Sequence, residues 1–582
     1  MSHGPAIIAV SLVALATTVA GTFGLRRVHT TGDFYVAARA VSPRWNAAAI
    51  GGEYLSAASY LGVAGLILAY GYDVLWYPVC YTAGYLILLA VVAAPLRRSG
   101  AYTLPDFAEI RLNSAVVRRA ASVLVVLIGW LYLVPQLQGA GLTLATQTGA
   151  PSWLGGLIVC AVVLVSVAGG GMRSITFAQA VQFWLKLLAL LIPAFILLTV
   201  WQHRATDLPD GSPVVNRTTI VHVRDTVDVR VQAREVVVAD GRVDGHRVDG
   251  PVTLTVGMHR ISGSTVITLQ AGQTVPVVTT LPAQTNNSWL RPLGSGTAHA
   301  LYGSLSLILA ICLGTMGLPH VLVRFYTNPD GHDARRTTLV VVALLSVFYL
   351  LPTVFGVLGR RYEPDLLLTG NTDATVLLLP ERMLAGLPGQ LLGALVTAGA
   401  FAAFLSTASG LTVSVAGVLS QDVLGGRAPD SRGQRIRSFR FAALGAISIP
   451  YLLSLPSQHI GLAAVVGLAF AVAAATFCPL LVLGIWWHGL TKAGALAGLV
   501  VGGVLASAAV LDTLISGSQS GWFGALLNEP AAWAVPMTFV TMIVVSLATR
   551  ASLSPDTRRV MARLHIPEVI SAELRERDRS AL

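Results

Sequence analysis

Three groups of residues carry chemistry where the chain around them is apolar. The stretch GGEYLSAASYLG, residues 51–62, places a carboxylate, Glu53, and the hydroxyls of Ser56 and Ser59 behind a glycine pair. Lys186 stands roughly ten residues into another apolar run, too deep for its stem to carry the ammonium to the interface. Ser406, Thr407 and Ser409 lie together in AAFLSTASG. An ionisable group inside a membrane span is costly, so Glu53 and Lys186 point to an ion or substrate path, whereas Arg324 and Asp512 sit near span ends, where snorkelling accounts for them. Lys186 can pair with Glu53 or with a bound anion; a structural ion pair or a place on a water-lined cavity serves it equally. Gly51 and Gly52 weaken a helix and permit unwinding. Unwound backbone at membrane depth is tolerated only when buried in protein or lining a cavity. Its freed carbonyls need a partner, and a small cation fits most readily. A lone membrane hydroxyl usually bonds the carbonyl one turn back. Adjacent ones cannot both face lipid, however, and a hard cation takes oxygen ligands.

The elements that must position these residues are membrane helices. Hydrophobic residues make up 54% of the chain and charged residues 12%, with a mean hydropathy of +0.69. Apolar runs long enough to span a bilayer recur near 5–24, 46–70, 74–96, 119–145, 153–169, 177–200, 298–320, 337–359, 389–421, 438–456, 460–487, 493–515 and 532–550, about thirteen in all, which gives an all-α polytopic membrane protein embedded in the lipid bilayer. The net charge of +11 is a topology signal and no indication of nucleic acid. Arginines gather in alternate loops: Arg26, Arg27, Arg39 and Arg44; Arg97, Arg98, Arg111 and Arg118; Arg324, Arg335 and Arg336; Arg427, Arg432, Arg435 and Arg437. The positive-inside rule then puts the N-terminus outside and the C-terminus in the cytoplasm, with the cell (plasma) membrane as location. The first span lacks basic residues ahead of it and a clear cleavage site, so it reads as a retained helix sooner than a signal peptide. Cys80, Cys160, Cys312 and Cys478 fall inside spans and read as small core residues without a metal. HExxH, G-x-S-x-G and P-loop motifs are absent, so an enzyme is not expected and no cofactor is implied.

One segment interrupts the pattern. Residues 201–297 contain alternating runs such as TIVHVRDTVDVRVQ and STVITLQ, broken by ADG, VDG and SGS. Period-two alternation of this kind predicts short antiparallel strands in a small extracytoplasmic β-rich insertion. The charged tail, 551–582, is too short for a kinase domain.

At this level of detail the sequence resembles the solute:sodium symporter family. GDFYVAARAVSPRWNAAAIGGEYLSAASYLGVAGLILAYGYD (32–73) resembles the family's loop and first core helix, with the YxSAAS pattern of the cation/acetate, or monocarboxylate, branch. VAGGGMRSITFAQAVQ (167–182), LGTMGLPHVLVRFYTNPD (313–330) and AAFLSTASG (402–410) match three further family stretches in the same order. The resemblance implies a five-plus-five inverted repeat of the leucine-transporter type. Residues 1–45 would hold a first helix and cytoplasmic loop, 46–200 the first repeat and 201–297 the insertion. Residues 298–487 would form the second repeat, 488–550 two added helices and 551–582 a cytoplasmic tail.

It also implies a sodium (or proton) site made by the carbonyls of Gly52, Leu55 and Ala403 and the hydroxyls of Ser406 and Thr407. Where members with a second sodium carry an Asp, this chain has Gln179, so one coupled cation is expected. Substrate-facing candidates are Glu53, Ser56, Ser59, Tyr60, Gln136, Gln138, Lys186 and Thr315. The implied activity is cation-coupled symport of a short-chain monocarboxylate such as acetate, propionate or pyruvate by alternating access. Symport of an amino acid or a sugar is the alternative, followed by a channel or a solute sensor. The sequence carries no signal for oligomeric state.

Overall fold

In the computed structural model, residues 4–23, 42–203, 210–223, 225–281, 284–293, 299–423, 432–457, 461–516, 521–553 and 555–567 are described. Arg26, Arg27, Arg39 and Arg427 of the loop-charge argument, the start of the 32–73 motif and the end of the tail lie outside them.

Apolar composition makes helices of the membrane portion, because only a helix or closed barrel satisfies every backbone group in lipid. Among the described residues eleven helical stretches are long and apolar enough to cross a bilayer. The expected spans 46–70 and 74–96 share one of these stretches, Ala58–Val91. The expected span 438–456 falls in a helix outside that count, Arg432–Ser454, whose first turns, RGQRIRSFR, are charged. Large apolar side chains such as Phe195, Phe441 and Ile515 point outward, as helices facing lipid require.

Helix α1, Gly4–Phe23, packs against two elements that carry the site. The first core helix comes in two pieces: α2, Pro43–Tyr54, and α3, Val63–Tyr70. Between them Leu55 leaves the helical region (φ −73°, ψ 85°), and a π-helical turn, Ala58–Gly62, restarts it. The break therefore falls at Leu55 and Ser56, after the glycine pair. Gly51 and Gly52 are helical and do something else. A Cβ on Gly52 would lie 2.2 Å from the Gln179 carbonyl oxygen, and one on Gly51 would lie 2.9 Å from the Phe183 ring. The glycines let α2 press directly onto its neighbour.

That neighbour is α6, Ser152–His203, reached through α4, Trp76–Val91, and α5, Ala115–Thr148. The expected spans 153–169 and 177–200 both lie in α6. A second broken helix follows the insertion. Its halves are α7, Ala300–Gly314, and α8, Pro319–Phe325, joined by a 3-10 turn, Thr315–Gly317, and an extended Leu318. Proline at the first position of α8 suits a restart, since its missing N–H would be unpaired there anyway. Next come α9, Gly331–Tyr362, and α10, Leu387–Val418. Then follow α11, Arg432–Ser454, α12, Leu462–Trp486, α13, Lys492–Ser516, and α14, Ala531–Ala548. Helix α10 is almost wholly buried through its second half and packs against α1, α5 and α6. A pair of broken helices, one in each half of the chain, is the mark of an inverted-repeat transporter.

The insertion folds as expected into antiparallel strands: β1 Thr219–Val223, β2 Val227–Val231, β3 Glu235–Val243, β4 His246–Leu254, β5 Gly257–Ile261, β6 Thr265–Leu269 and β7 Val277–Val278. The sheet order is β1-β6-β3-β5-β2-β7, with β4 pairing β3. Its underside is joined to the membrane portion. Val277, Val278 and Leu281 pack with Leu68 and Ala69 of α3 and with Leu366 and Leu367. The Trp289 indole donates to the Ile67 carbonyl at 2.6 Å.

Candidate cation and substrate site

The site lies where the break in α2–α3 faces α6, α8 and α10. Of the five expected cation-site residues, Gly52, Leu55 and Ser406 surround one point, and Lys186 of α6 fills it. The ammonium donates to the Gly52 carbonyl, to the Leu55 carbonyl at 2.8 Å and to the Ser406 hydroxyl at 2.6 Å. Ser406 in turn donates to Gly52 O at 2.6 Å and approaches the Ala403 carbonyl at 3.0 Å. Thr407 donates to the Glu53 carbonyl at 2.7 Å, so the fifth residue ties α10 to α2 from the other side. These residues are fully buried, with Lys186 at 0% exposure.

Glu53 does not pair with Lys186. Its carboxylate accepts from Arg324 Nε at 2.6 Å, and both side chains are buried. The remaining Arg324 nitrogens donate to Thr176 at 2.5 Å and to Gln179. Gln179 passes the link on by donating to the Ser406 carbonyl at 2.7 Å. A continuous polar network thus joins α2, α6, α8 and α10 at their crossing. Arg324, which its place near a span end reads as a snorkelling residue, is instead a buried guanidinium. Close backbone approach makes this possible, since a Cβ on Gly410 would sit 2.0 Å from a Glu53 carboxylate oxygen. Glu53, Arg324 and Lys186 together sum to one net positive charge.

The other expected substrate residues are scattered. The Ser59 hydroxyl bonds the Tyr349 hydroxyl at 2.9 Å, and the Tyr60 hydroxyl donates to the Val396 carbonyl at 3.1 Å. Gln136 braces the break itself, accepting from Ala57 N–H at 2.8 Å. Gln138 lies apart and donates to the Ser457 hydroxyl at 2.8 Å. Thr315 returns its hydrogen to the Ile311 carbonyl at 2.8 Å and also meets the Tyr54 hydroxyl at 3.3 Å. Ser56, at the break, is buried with Tyr132 as neighbour.

An aromatic cluster that no sequence argument isolated closes this region. Tyr54 meets Tyr85 edge-on at 4.8 Å, Tyr81 stacks on Tyr349 at 5.3 Å, and Tyr132 packs against the His320 ring at 4.9 Å. The hydroxyls of Tyr81 and Tyr85 and both ring nitrogens of His320 are buried with no hydrogen-bond partner among the described residues. Buried polar atoms are nearly always satisfied, so four together mark a place where a polar ligand belongs. The signal was present in YPVCYTAGY, a tyrosine every fourth residue on one face of α4, and in the PH of LGTMGLPH.

Comparison with known proteins agrees with this geometry. The family model for the sodium:solute symporter family matches residues 34–205 and 250–502. An uncharacterised symporter of Bacillus subtilis is 27% identical, over 93% of this chain and 94% of its own length. A monocarboxylic acid transporter of Corynebacterium glutamicum is also 27% identical, over 92% of this chain and 90% of its own. Among solved structures, a Na+-coupled sialic acid symporter in a substrate-bound outward-open state has the same fold. It superposes with a TM-score of 0.62 at 12% identity, covering 94% of this chain and 97% of that one. Two broken helices clasped by a hydroxyl-bearing helix, with a family match across most of the length, make this chain a multi-pass membrane transporter that belongs to the sodium:solute symporter family.

Proposed function

We propose that this chain carries a short-chain monocarboxylate, such as acetate, propionate or pyruvate, by cation-coupled symport. The observation that carries the reading is the group of unsatisfied polar atoms on Tyr81, Tyr85 and His320, buried beside the helix break with one net positive charge behind it. A buried polar group left without a partner costs about 1–3 kcal/mol, and a carboxylate, an acceptor at both oxygens, would satisfy several at once. The aromatic walls suit a short apolar tail. The monocarboxylic acid transporter among the relatives supports the same substrate class. An amino acid would also need a partner for its ammonium, and the nearest carboxylate, Glu53, is engaged by Arg324. That favours a carboxylate without an amine.

The reading includes alternating access, in which the break at Leu55 and Ser56 gives α2 and α3 separate freedom to tilt. It also takes the N-terminus outside and the C-terminus in the cytoplasm, with the repeats at 46–200 and 298–487 and the β insertion on the outer face. Competition in proteoliposomes tests the substrate class. Uptake of labelled propionate should be inhibited by acetate and pyruvate and left unchanged by proline and glucose. Inhibition by proline or glucose alone would refute it.

A further inference from the structure

We propose that the ammonium of Lys186 is the resident cation of the site between α2 and α10, standing where a free sodium ion would otherwise bind. On this view the chain transports its solute without binding sodium there. The inference rests on the reading of that site as the cation site.

Occupancy is the first argument. The oxygens of Gly52, Leu55 and Ser406 that would ligate a sodium ion are the three that receive hydrogen bonds from Lys186. An ammonium has three donors, and here each has one acceptor. A metal ion cannot share that volume, and the positive charge of the lysine would repel it.

Satisfaction is the second. The Ser406 hydroxyl accepts from Lys186 while donating to Gly52 O, the Ala403 carbonyl lies against the same hydroxyl, and Thr407 is used by the Glu53 carbonyl. Every oxygen of the expected ligand set therefore has a partner within the protein.

Third, Lys186 makes no hydrogen bond or ion pair beyond the three to Gly52, Leu55 and Ser406 among the described residues. Its side chain is fully buried, Phe183, Ala189 and Leu190 of the same helix are fully buried apolar neighbours in sequence, and Glu53 is held by Arg324. Gln179 supplies an amide where a carboxylate could have helped a second cation, and that amide donates to the Ser406 carbonyl. Displacing the ammonium would leave a buried charge without acceptors, which is costly.

The test uses the purified full-length protein and radioactive sodium. Wild type should show no saturable sodium binding, and its initial rate of monocarboxylate uptake should differ by less than about twofold when sodium is replaced by N-methylglucamine, a negligible free-energy difference. Removing the tether should open the cage: Lys186→Ala should bind sodium saturably, and Ser406→Ala added to it should abolish that binding. Saturable sodium binding by wild type that Ser406→Ala removes would overturn the proposal. So would uptake that falls more than about tenfold without sodium. Should Lys186→Ala fail to fold, the wild-type measurements still decide. If none of the monocarboxylates is carried, the substrate reading fails, and the sodium-binding result judges the lysine independently.

Discussion

The ammonium of Lys186 lies 2.8 Å from the carbonyl oxygen of Leu55, at the residue where the first core helix stops being a helix. The contact joins two facts legible separately in the chain: a charge deep in one apolar run and polar residues in another. Backbone carbonyls freed by the break need donors, and the lysine needs acceptors. Each answers the other's desolvation cost.

The Glu53–Arg324 pair holds four helices in register, and among the described residues neither member has another charged partner at hydrogen-bond distance. Glu53→Gln should lower folding stability by roughly 3–5 kcal/mol, because it leaves a buried guanidinium uncompensated. Thermal unfolding of the purified variant measures this. The double variant Glu53→Gln with Arg324→Met should recover part of the loss, since it removes the orphaned charge.

Gly52 is needed for proximity. Gly52→Ala puts a methyl 2.2 Å from the Gln179 carbonyl and should cost about 1–3 kcal/mol by overpacking, with loss of uptake. Gly303→Ala serves as the control. Among the described residues nothing lies within 4 Å of its Cβ position, so it should be neutral or slightly stabilising. Paired melting curves and uptake rates separate the two.

The unsatisfied aromatic polar groups should matter to the solute and little to the fold. Tyr85→Phe removes a hydroxyl with no partner among the described residues, so thermal stability should hold or rise slightly. The half-saturating monocarboxylate concentration should rise by roughly 10- to 150-fold, the equivalent of one lost hydrogen bond to a charged group. Equal falls in stability and affinity would instead assign Tyr85 to packing.

Glu363, just past the end of α9, offers a pH test outside the spans. Burial pushes its carboxyl well above the usual 4.5, with the Arg382 guanidinium only partly opposing and Asp365 adding to the rise. Below pH 4.5 both folded and unfolded chains hold this proton and the contribution is fully present. As pH climbs past 4.5 the unfolded chain releases it first, so stability falls until the folded carboxyl also ionises. Glu363→Gln should flatten that decline and raise the melting temperature near neutral pH.

Much of this was readable beforehand because membrane helices declare themselves by composition, and β strands by alternation. Polar residues that lipid would not tolerate singled out the stretches around Glu53 and Ser406, and the family resemblance alone implied that Gly52, Leu55 and Ser406 share a site. What stood at their centre did not follow, because pairing depends on how α6 is rotated against α2, and no periodicity encodes that. Arg324 was misjudged for the same reason: distance from a span end says nothing about a neighbour's carboxylate. The glycine pair was linked to unwinding, whereas its use is close helix contact and the break comes after it. Tyr81, Tyr85 and His320 look like ordinary core residues until their missing partners are counted.

On the reading proposed above, these broken helices form a carrier for a small carboxylate, driven by a cation. Initial uptake of labelled propionate into proteoliposomes, measured against external concentration with and without an imposed proton gradient, tests it most directly. The rate should saturate, and the gradient should drive accumulation above the external level. A flux that rises linearly without limit and never exceeds equilibrium would contradict it.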